Sequence, residues 1–310
     1  MTGTLDLVVI TGATATGKTG VGIDLARLVG GEVVSADSMM IYRGMDTGTA
    51  KPSVSEMQGV PHHLIDVVDP DEAFSVATYQ HLAEYTIAGI AGRGLLPILV
   101  GGTGLYVRSV VDHYDFAAPG DAAFRAGLLA EARRDGSETL HGRLAAVDPV
   151  TAARLHANDQ RRIIRALEVH HLTGRPISSF QDRDEHRDSK YRVRMFGLNT
   201  AREILYRRIE DRVDQMLAQG LVAEVEQLLA RGYARELVSM KGLGYKEIAA
   251  FLEGEYSLDE GVDLLKRNTR RFAKRQLTWF RRDQRIRWID PGEYQGSLAV
   301  AEEITKSLKD

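Results

Sequence analysis

The chain contains no cysteine, which excludes disulfides, thiolate nucleophiles and cysteine-ligated zinc. No apolar run is long enough to cross a bilayer, and the N-terminus lacks a basic region followed by an apolar one. A cytoplasmic protein with no membrane partner is therefore expected. Internal repeats and low-complexity tracts are also missing. Net charge is only −3 over 310 residues, which at first argues against a polyanionic partner.

The distribution of that charge argues the other way. Between Lys266 and Arg287 stand ten Lys/Arg and one acid, Asp283, a local charge of +9 that leaves −12 for the remainder. At helical spacing Lys266, Arg270 and Lys274 form one stripe and Arg267, Arg271 and Arg275 the next, with Trp279 and Phe280 closing the segment. A solvated helix would read similarly. Cations without acids at helical spacing lack the usual ion-pair support, however, so a phosphate-binding surface is the better account. Otherwise the composition, 44% hydrophobic and 27% charged, is that of an ordinary globular protein, long enough for two structural units.

Residues Gly12-Ala13-Thr14-Ala15-Thr16-Gly17-Lys18-Thr19 spell G-x-x-x-x-G-K-T. The apolar run Leu5–Ile10 precedes them and a helical pattern from Gly17 to about Val29 follows. This strand–loop–helix context makes the match a phosphate cradle. Backbone N–H groups wrap phosphate oxygens where a helix dipole also favours negative charge. Lys18 adds a cation against the terminal phosphate, and the Thr19 hydroxyl is placed to hold Mg2+.

Glu32–Ala36 and Leu95–Val100 read as further buried strands, with a helix capped by Ser75 between them. Strands alternating with helices after a phosphate loop imply an α/β fold: a parallel sheet in a three-layer P-loop core. Ligands on such sheets lie at the carboxyl ends of the strands, so Thr11–Thr19, Asp37–Tyr42 and Gly101–Tyr106 should converge on one crevice. From Asp115 to Asp188 the sequence becomes rich in Ala and Arg, with helices expected near Asp121–Arg134, Ser137–Val147 and Asp159–Leu172 and a charged linker at Asp182–Asp188. The expected domains are a core of residues 1–115 and 189–310, carrying basic C-terminal helices, and a helical insertion of residues 116–188. The sheet resumes at Tyr191–Leu198. Helices follow near 201–219, 222–231, 245–252 and 258–281, then a strand at Ile286–Ile289 and a last helix at Leu298–Leu308.

Asp37 follows a buried strand. Near a bound diphosphate its carboxylate could hold Mg2+ or act as a base, or it could simply cap a helix beginning at Ser38. Gly101-Gly102-Thr103-Gly104 lets the backbone approach a ligand closely, with a hydroxyl to donate; a plain strand-to-helix turn is the alternative. His62-His63 and His170-His171 are adjacent pairs without a carboxylate at ligand spacing, so structural or surface roles are expected rather than metal binding.

Six segments together resemble one family, the tRNA dimethylallyltransferases, also called tRNA isopentenyltransferases: Gly12–Thr19, Ser35–Pro52, Gly59–Asp66, Pro97–Tyr106, Arg161–Gly174 and Arg275–Arg281. The Ser35–Pro52 and Gly101–Tyr106 blocks are far more specific than a phosphate loop. The resemblance implies transfer of a dimethylallyl group from dimethylallyl diphosphate to the exocyclic N6 amine of the adenosine 3′-adjacent to the anticodon, in tRNAs reading codons that begin with U. It implies that Gly12, Ala13, Thr14, Ala15, Thr16, Gly17, Lys18 and Thr19 bind the prenyl diphosphate, not ATP. Asp37 then matches the general base, Thr103 a contact to the target nucleotide, and Arg212 an arginine that helps hold the diphosphate. Regions matching tRNA contacts comprise Asp37, Ser38, Met39 and Met40; Arg125; Gln160, Arg161, Arg162, Ile163 and Ile164; Met240, Gly242, Gly244 and Tyr245; and Lys274, Arg275, Gln276, Trp279 and Arg281. The insertion matches a mobile domain gripping the anticodon stem-loop. Nothing demands more than a monomer. Met40 stands where glutamine is common in the family, and Ala13 and Thr16 replace the commoner proline and serine.

The chemistry suits these residues. An adenine amine is a weak nucleophile, because its lone pair is delocalised into the ring. Removing its proton as the bond forms helps. Lys18, Arg212, Mg2+ on Thr19 and the loop amides would offset the charge gathering on the departing diphosphate. The target base must also leave its stack, which a single-stranded loop makes cheap. Three alternatives remain: a P-loop small-molecule kinase, an enzyme prenylating free adenine nucleotides, and a non-catalytic RNA-binding protein. The first two leave the basic C-terminal helix unexplained.

Overall fold

The structure is a computed structural model that describes residues 5–112, 114, 116, 120–180 and 190–309. The charged segment Asp182–Asp188 lies outside the described residues. The chain divides into two compact units, Met1–Val111 with Lys190–Asp310, and Asp112–Ser189.

The first unit is built on a six-stranded sheet, ordered β3-β2-β4-β1-β5-β6, with every pairing parallel. The strands are β1 (Leu5–Gly12), β2 (Gly31–Ser35), β3 (His62–His63), β4 (Leu96–Val100), β5 (Tyr191–Leu198) and β6 (Ile286–Ile289). β1 is central, hydrogen-bonded to β4 on one side and to β5 along its full length on the other. Its continuous apolar run follows from burial on both faces. On one face Leu7, Val9, Val34 and Leu99 pack against helices Val76–Gly92 and Gly104–Val111. On the other, Val8, Ile10, Val33 and Ile98 pack against helices Lys18–Val29 and Gly296–Lys309. Alternate residues of each strand thus feed two separate cores, the three-layer arrangement that alternating strands and helices require.

Four further helices, Arg202–Ala218, Leu221–Ala230, Tyr245–Leu252 and Leu258–Phe280, gather around a third core that includes Ile41, Met45, Val213, Leu221, Tyr245 and Ile248. Ser75 accepts from the Thr78 amide at 3.1 Å, capping the helix that follows it. The second unit contains helices Ala122–Asp135, Ser137–Val147, Pro149–Arg154 and Gln160–Thr173 around Leu128, Leu140, Leu144, Ile163 and Leu167. Asp121, Asp148 and Asp159 cap three of them. Two elements carry no recognisable pattern in the sequence. The helix Pro149–Arg154 is a turn and a half long, and β3 is a two-residue edge strand. The histidines of β3 have structural roles: His63 Nε2 lies 2.6 Å from Glu32 Oε2, and His62 Nδ1 lies 2.9 Å from the Val60 carbonyl.

Ile98 is fully buried in the middle of the sheet. Ile98→Ala should cost about 2–5 kcal/mol, read as a lowered urea midpoint for the first unit.

Candidate functional site

The carboxyl ends of β1, β2 and β4 meet, held together mainly by backbone. The Ala36 amide donates to Val100 O at 2.8 Å, Gly101 N donates to Ile10 O at 3.1 Å, and Thr103 N donates to Ala36 O at 3.1 Å. A methyl group on Gly101 would sit 2.2 Å from the Ala36 carbonyl oxygen, so glycine is the residue that lets these loops touch. The phosphate loop, the Asp37 turn and the Gly101–Gly104 turn therefore share one crevice.

The Asp37 turn does not begin a helix; residues 38–41 form turns. Asp37 Oδ1 accepts from the Met39 amide at 2.8 Å, which closes the turn locally and commits one carboxylate oxygen. Thr103 Oγ1 accepts from Ser38 N at 3.0 Å and donates to Ser38 Oγ at 3.2 Å. The Thr103 hydroxyl thus fixes the turn that carries Asp37. Below it, Tyr79 donates its hydroxyl to Ser35 O at 2.9 Å and stacks on Tyr106 with centroids 3.8 Å apart. The Met40 side chain receives a weak contact, Ser35 Oγ to Sδ at 3.9 Å, and its carbonyl accepts from the Asp66 amide at 3.1 Å.

Lys18 starts the helix after the phosphate loop, and its Nζ donates to Ala13 O at 2.5 Å. Burial, and then the nearby charge of Arg212, push its ammonium down to about 7, with Asp37 opposing. Burial likewise lowers the Arg212 guanidinium, again opposed by Asp37. Arg212 Nη2 donates to Thr49 O at 3.2 Å, while its Nε is buried with no partner among the described residues. Two cations and one carboxylate thus act on one another across a crevice lined by a phosphate loop. An anion with several oxygens would satisfy the orphaned Nε and relieve the repulsion of the cations.

The basic C-terminal helix Leu258–Phe280 braces this crevice from one side. Gln276, buried, accepts from Thr14 N at 2.9 Å and donates to Gly102 O at 2.9 Å. One turn on, Trp279 covers Gly104, where a methyl group would come within 2.3 Å of the indole. Gln276, which the resemblance matches to an RNA contact, engages two loops through its amide. Other positions that the resemblance matches to RNA contacts are placed as follows. Met240 and Tyr245 are wholly buried in the third core, and the Tyr245 hydroxyl donates to Glu224 Oε1 at 2.6 Å. Ile163 and Ile164 lie inside the second unit, while their neighbours Arg161 and Arg162 are exposed. Gly242 packs against Met39, and Gly244 adopts φ 90° before helix Tyr245–Leu252.

The basic stripes also differ from their sequence reading. Lys266 pairs with Asp214 and Arg270 with Glu210, each at 2.6 Å, acids carried by the neighbouring helix rather than their own. Arg267, Arg271, Lys274, Arg275, Arg281 and Arg282 are exposed, and no carboxylate pairs with them among the described residues. In the second unit, Arg125 pairs with the buried Glu168 at 3.1 Å, and Gln160 Nε2 donates to Ser137 Oγ at 2.6 Å.

The sequence pattern of the family described as IPP transferase matches residues 40–283, and that described as isopentenyl transferase matches residues 5–70. The chain belongs to the IPP transferase family. Its similarity to other members runs end to end. It is 63% identical over 303 residues to the tRNA dimethylallyltransferase of Desulforudis audaxviator, covering 98% of this chain and 97% of that one. It is 49% identical over 303 residues to the Geobacillus thermodenitrificans protein of the same name. Among solved structures, the full-length tRNA isopentenylpyrophosphate transferase of Bacillus halodurans matches with a TM-score of 0.73 and 45% identity, over 98% of this chain and 97% of that one. A eukaryotic dimethylallyltransferase acting on tRNA matches with a TM-score of 0.80 and 28% identity, over 92% of this chain and 74% of that one. Membership of this transferase family excludes the small-molecule kinase reading.

The depressed Lys18 gives a signed expectation. Below pH 7 the free protein already carries the Lys18 proton, and a diphosphate meets two cations. As pH rises through 7 the free protein loses that charge, so binding must take up a proton and affinity falls. Calorimetry at pH 8 in buffers of differing ionisation enthalpy should show uptake approaching one proton. Lys18→Gln should abolish the uptake and bind more weakly at every pH. A second expectation concerns the brace: Gln276→Met should raise the diphosphate Kd several-fold while leaving RNA affinity unchanged, as read by titration with each ligand.

Proposed function

We propose that this chain transfers the dimethylallyl group of dimethylallyl diphosphate to the exocyclic N6 amine of the adenosine next to the anticodon on its 3′ side, in tRNAs reading codons that begin with U. One observation carries the reading: the phosphate loop that bears Lys18 and the turns that bear Asp37 and Thr103 are joined backbone to backbone at the carboxyl ends of β1, β2 and β4. In the reaction the amine nitrogen bonds to C1 of the allyl group as the C1–oxygen bond to diphosphate breaks. The amine proton passes to Asp37, whose second oxygen has no partner among the described residues. The electron pair leaves on diphosphate, where Lys18, Arg212 and the loop amides stabilise it. The Thr103 hydroxyl holds the base-bearing turn in place.

Mg2+ is the inferred cofactor. Among the described residues no group of three His, Asp or Glu side chains could hold a metal unaided. The Thr19 hydroxyl makes no hydrogen bond with them, so its oxygen is available to the ion. This sparse oxygen set suits an ion that keeps several waters and binds largely through phosphate oxygens. Mg2+ would supply further charge neutralisation on diphosphate. For tRNA, the exposed Arg267, Arg271, Lys274, Arg275, Arg281 and Arg282 support polyanion binding by the first unit. Exposed Arg161 and Arg162 support it for the second, the proposed grip on the anticodon stem-loop. Every group invoked comes from one chain, which supports a monomer. Among the described residues no helix is long and apolar enough to cross a membrane, in keeping with a cytoplasmic pool of substrate tRNA.

Undermodified tRNA incubated with labelled dimethylallyl diphosphate should acquire label at this adenosine. Asp37→Asn should reduce transfer by about a hundred- to ten-thousand-fold while tRNA affinity stays intact. Folded protein that leaves the tRNA unlabelled would refute the assignment.

A further inference from the structure

Arg212 reaches the crevice from helix Arg202–Ala218, but what aims it is a loop from elsewhere in the chain. Its Nη2 bonds the Thr49 carbonyl, and Thr49 belongs to a loop, Asp46–Lys51, with no regular secondary structure. The shape of that loop comes from one side chain. The Glu224 carboxylate accepts from three successive amides, Asp46 at 3.2 Å, Thr47 at 2.7 Å and Gly48 at 3.2 Å. Successive N–H groups converging on one point are an anion-binding arrangement. Here a carboxylate of the protein itself occupies it. The Tyr245 hydroxyl is a fourth donor to the same carboxylate, at 2.6 Å, and its ring packs so closely on Gly48 that a methyl group there would lie 2.6 Å away. From the other side Lys51, its side chain almost fully buried, donates to Tyr42 O, Asp46 Oδ1 and Asp66 Oδ1.

We infer that Glu224 is a positioning residue for the diphosphate site. It acts on Arg212 through the backbone of residues 46–49 and makes no contact with substrate. The inference deepens the proposed function, because it rests on Arg212 holding diphosphate. Its chemistry is specific. A carboxylate presents two oxygens, enough for three amides and a phenol, whereas an amide of the same size presents one oxygen and two unwanted donors. Glu224 spends its charge on the loop rather than on Arg212 or Lys18. Both cations therefore stay available to a ligand, and Arg212 keeps one fixed bond while its buried Nε has no partner among the described residues. The helices bearing Arg212 and Glu224 are consecutive, joined through Gln219-Gly220, so the guanidinium and the group that aims it move as one piece.

A double-mutant cycle on the full chain, with inorganic diphosphate as the calorimetric probe, tests this. Glu224→Gln should weaken diphosphate binding about tenfold, with the melting temperature and the affinity for an anticodon stem-loop RNA little changed. In an Arg212→Ala background the same substitution should have almost no further effect, since its only route to the ligand is gone. Effects that multiply independently would overturn the inference and leave the site assignment standing. Arg212→Ala with unchanged diphosphate affinity would overturn both. If Glu224→Gln fails to fold, Tyr245→Phe, which removes a single donor, takes its place; it should weaken binding in the same direction and again be silent without Arg212, and additivity there would equally sink the idea.

Discussion

The site depends on a repulsion that the fold sustains. Lys18 and Arg212 are held near each other in a partly enclosed crevice with Asp37 as the one carboxylate acting on both. Burial is the main penalty on each charge, and the charge of Arg212 adds to it for Lys18. A protein optimised only for stability would pair them off. Acids on the same helix as Arg212 and on the next one are occupied elsewhere: Glu210 with Arg270, Asp214 with Lys266, and Glu224 with backbone amides. The cations are left in want of a polyanion, which is the state a diphosphate site requires.

How much of this was readable in advance follows from sequence separation. The phosphate loop is local; strand, turn and helix sit within a few tens of residues, and their pattern survives in one dimension. The same holds for β5, whose apolar–polar alternation marks it out, and for the helix cap at Ser75. The bracing contacts are of another kind. Gln276 meets Thr14 across 262 positions, and Glu224 meets Thr47 across 177. Neither residue stands out among its neighbours, and neither belongs to a periodic pattern that its partner shares. The short edge strand His62–His63 escaped for the opposite reason, being too brief to carry any period.

The basic stripes show how a correct regional reading can misassign individuals. Helical spacing rightly grouped the cations, but it searched for acids only along the same helix. The acids that pair with Lys266 and Arg270 lie on Arg202–Ala218, packed alongside. Without a carboxylate partner among the described residues are Arg267, Arg271, Lys274, Arg275, Arg281 and Arg282. The helix is thus divided by face: Ala273, Gln276 and Phe280 turn inward to the sheet and its loops, while Arg271, Lys274 and Arg275 turn outward.

The seating of Gln276 between Thr14 and Gly102 has a bearing on how the chain is made. The cradle is encoded near the start of the message, yet the amide that steadies it is encoded near the end. A nascent chain on the ribosome can lay β1 against β4 early, but β5 and then Gln276 must emerge before the loop is braced. A product cut short ahead of the last long helix would carry the full phosphate motif and still leave the Thr14 N–H and the Gly102 carbonyl without this partner. Full affinity therefore arrives only with the C-terminal segments, and incompletely synthesised copies would hold the anionic ligand less tightly than the finished protein.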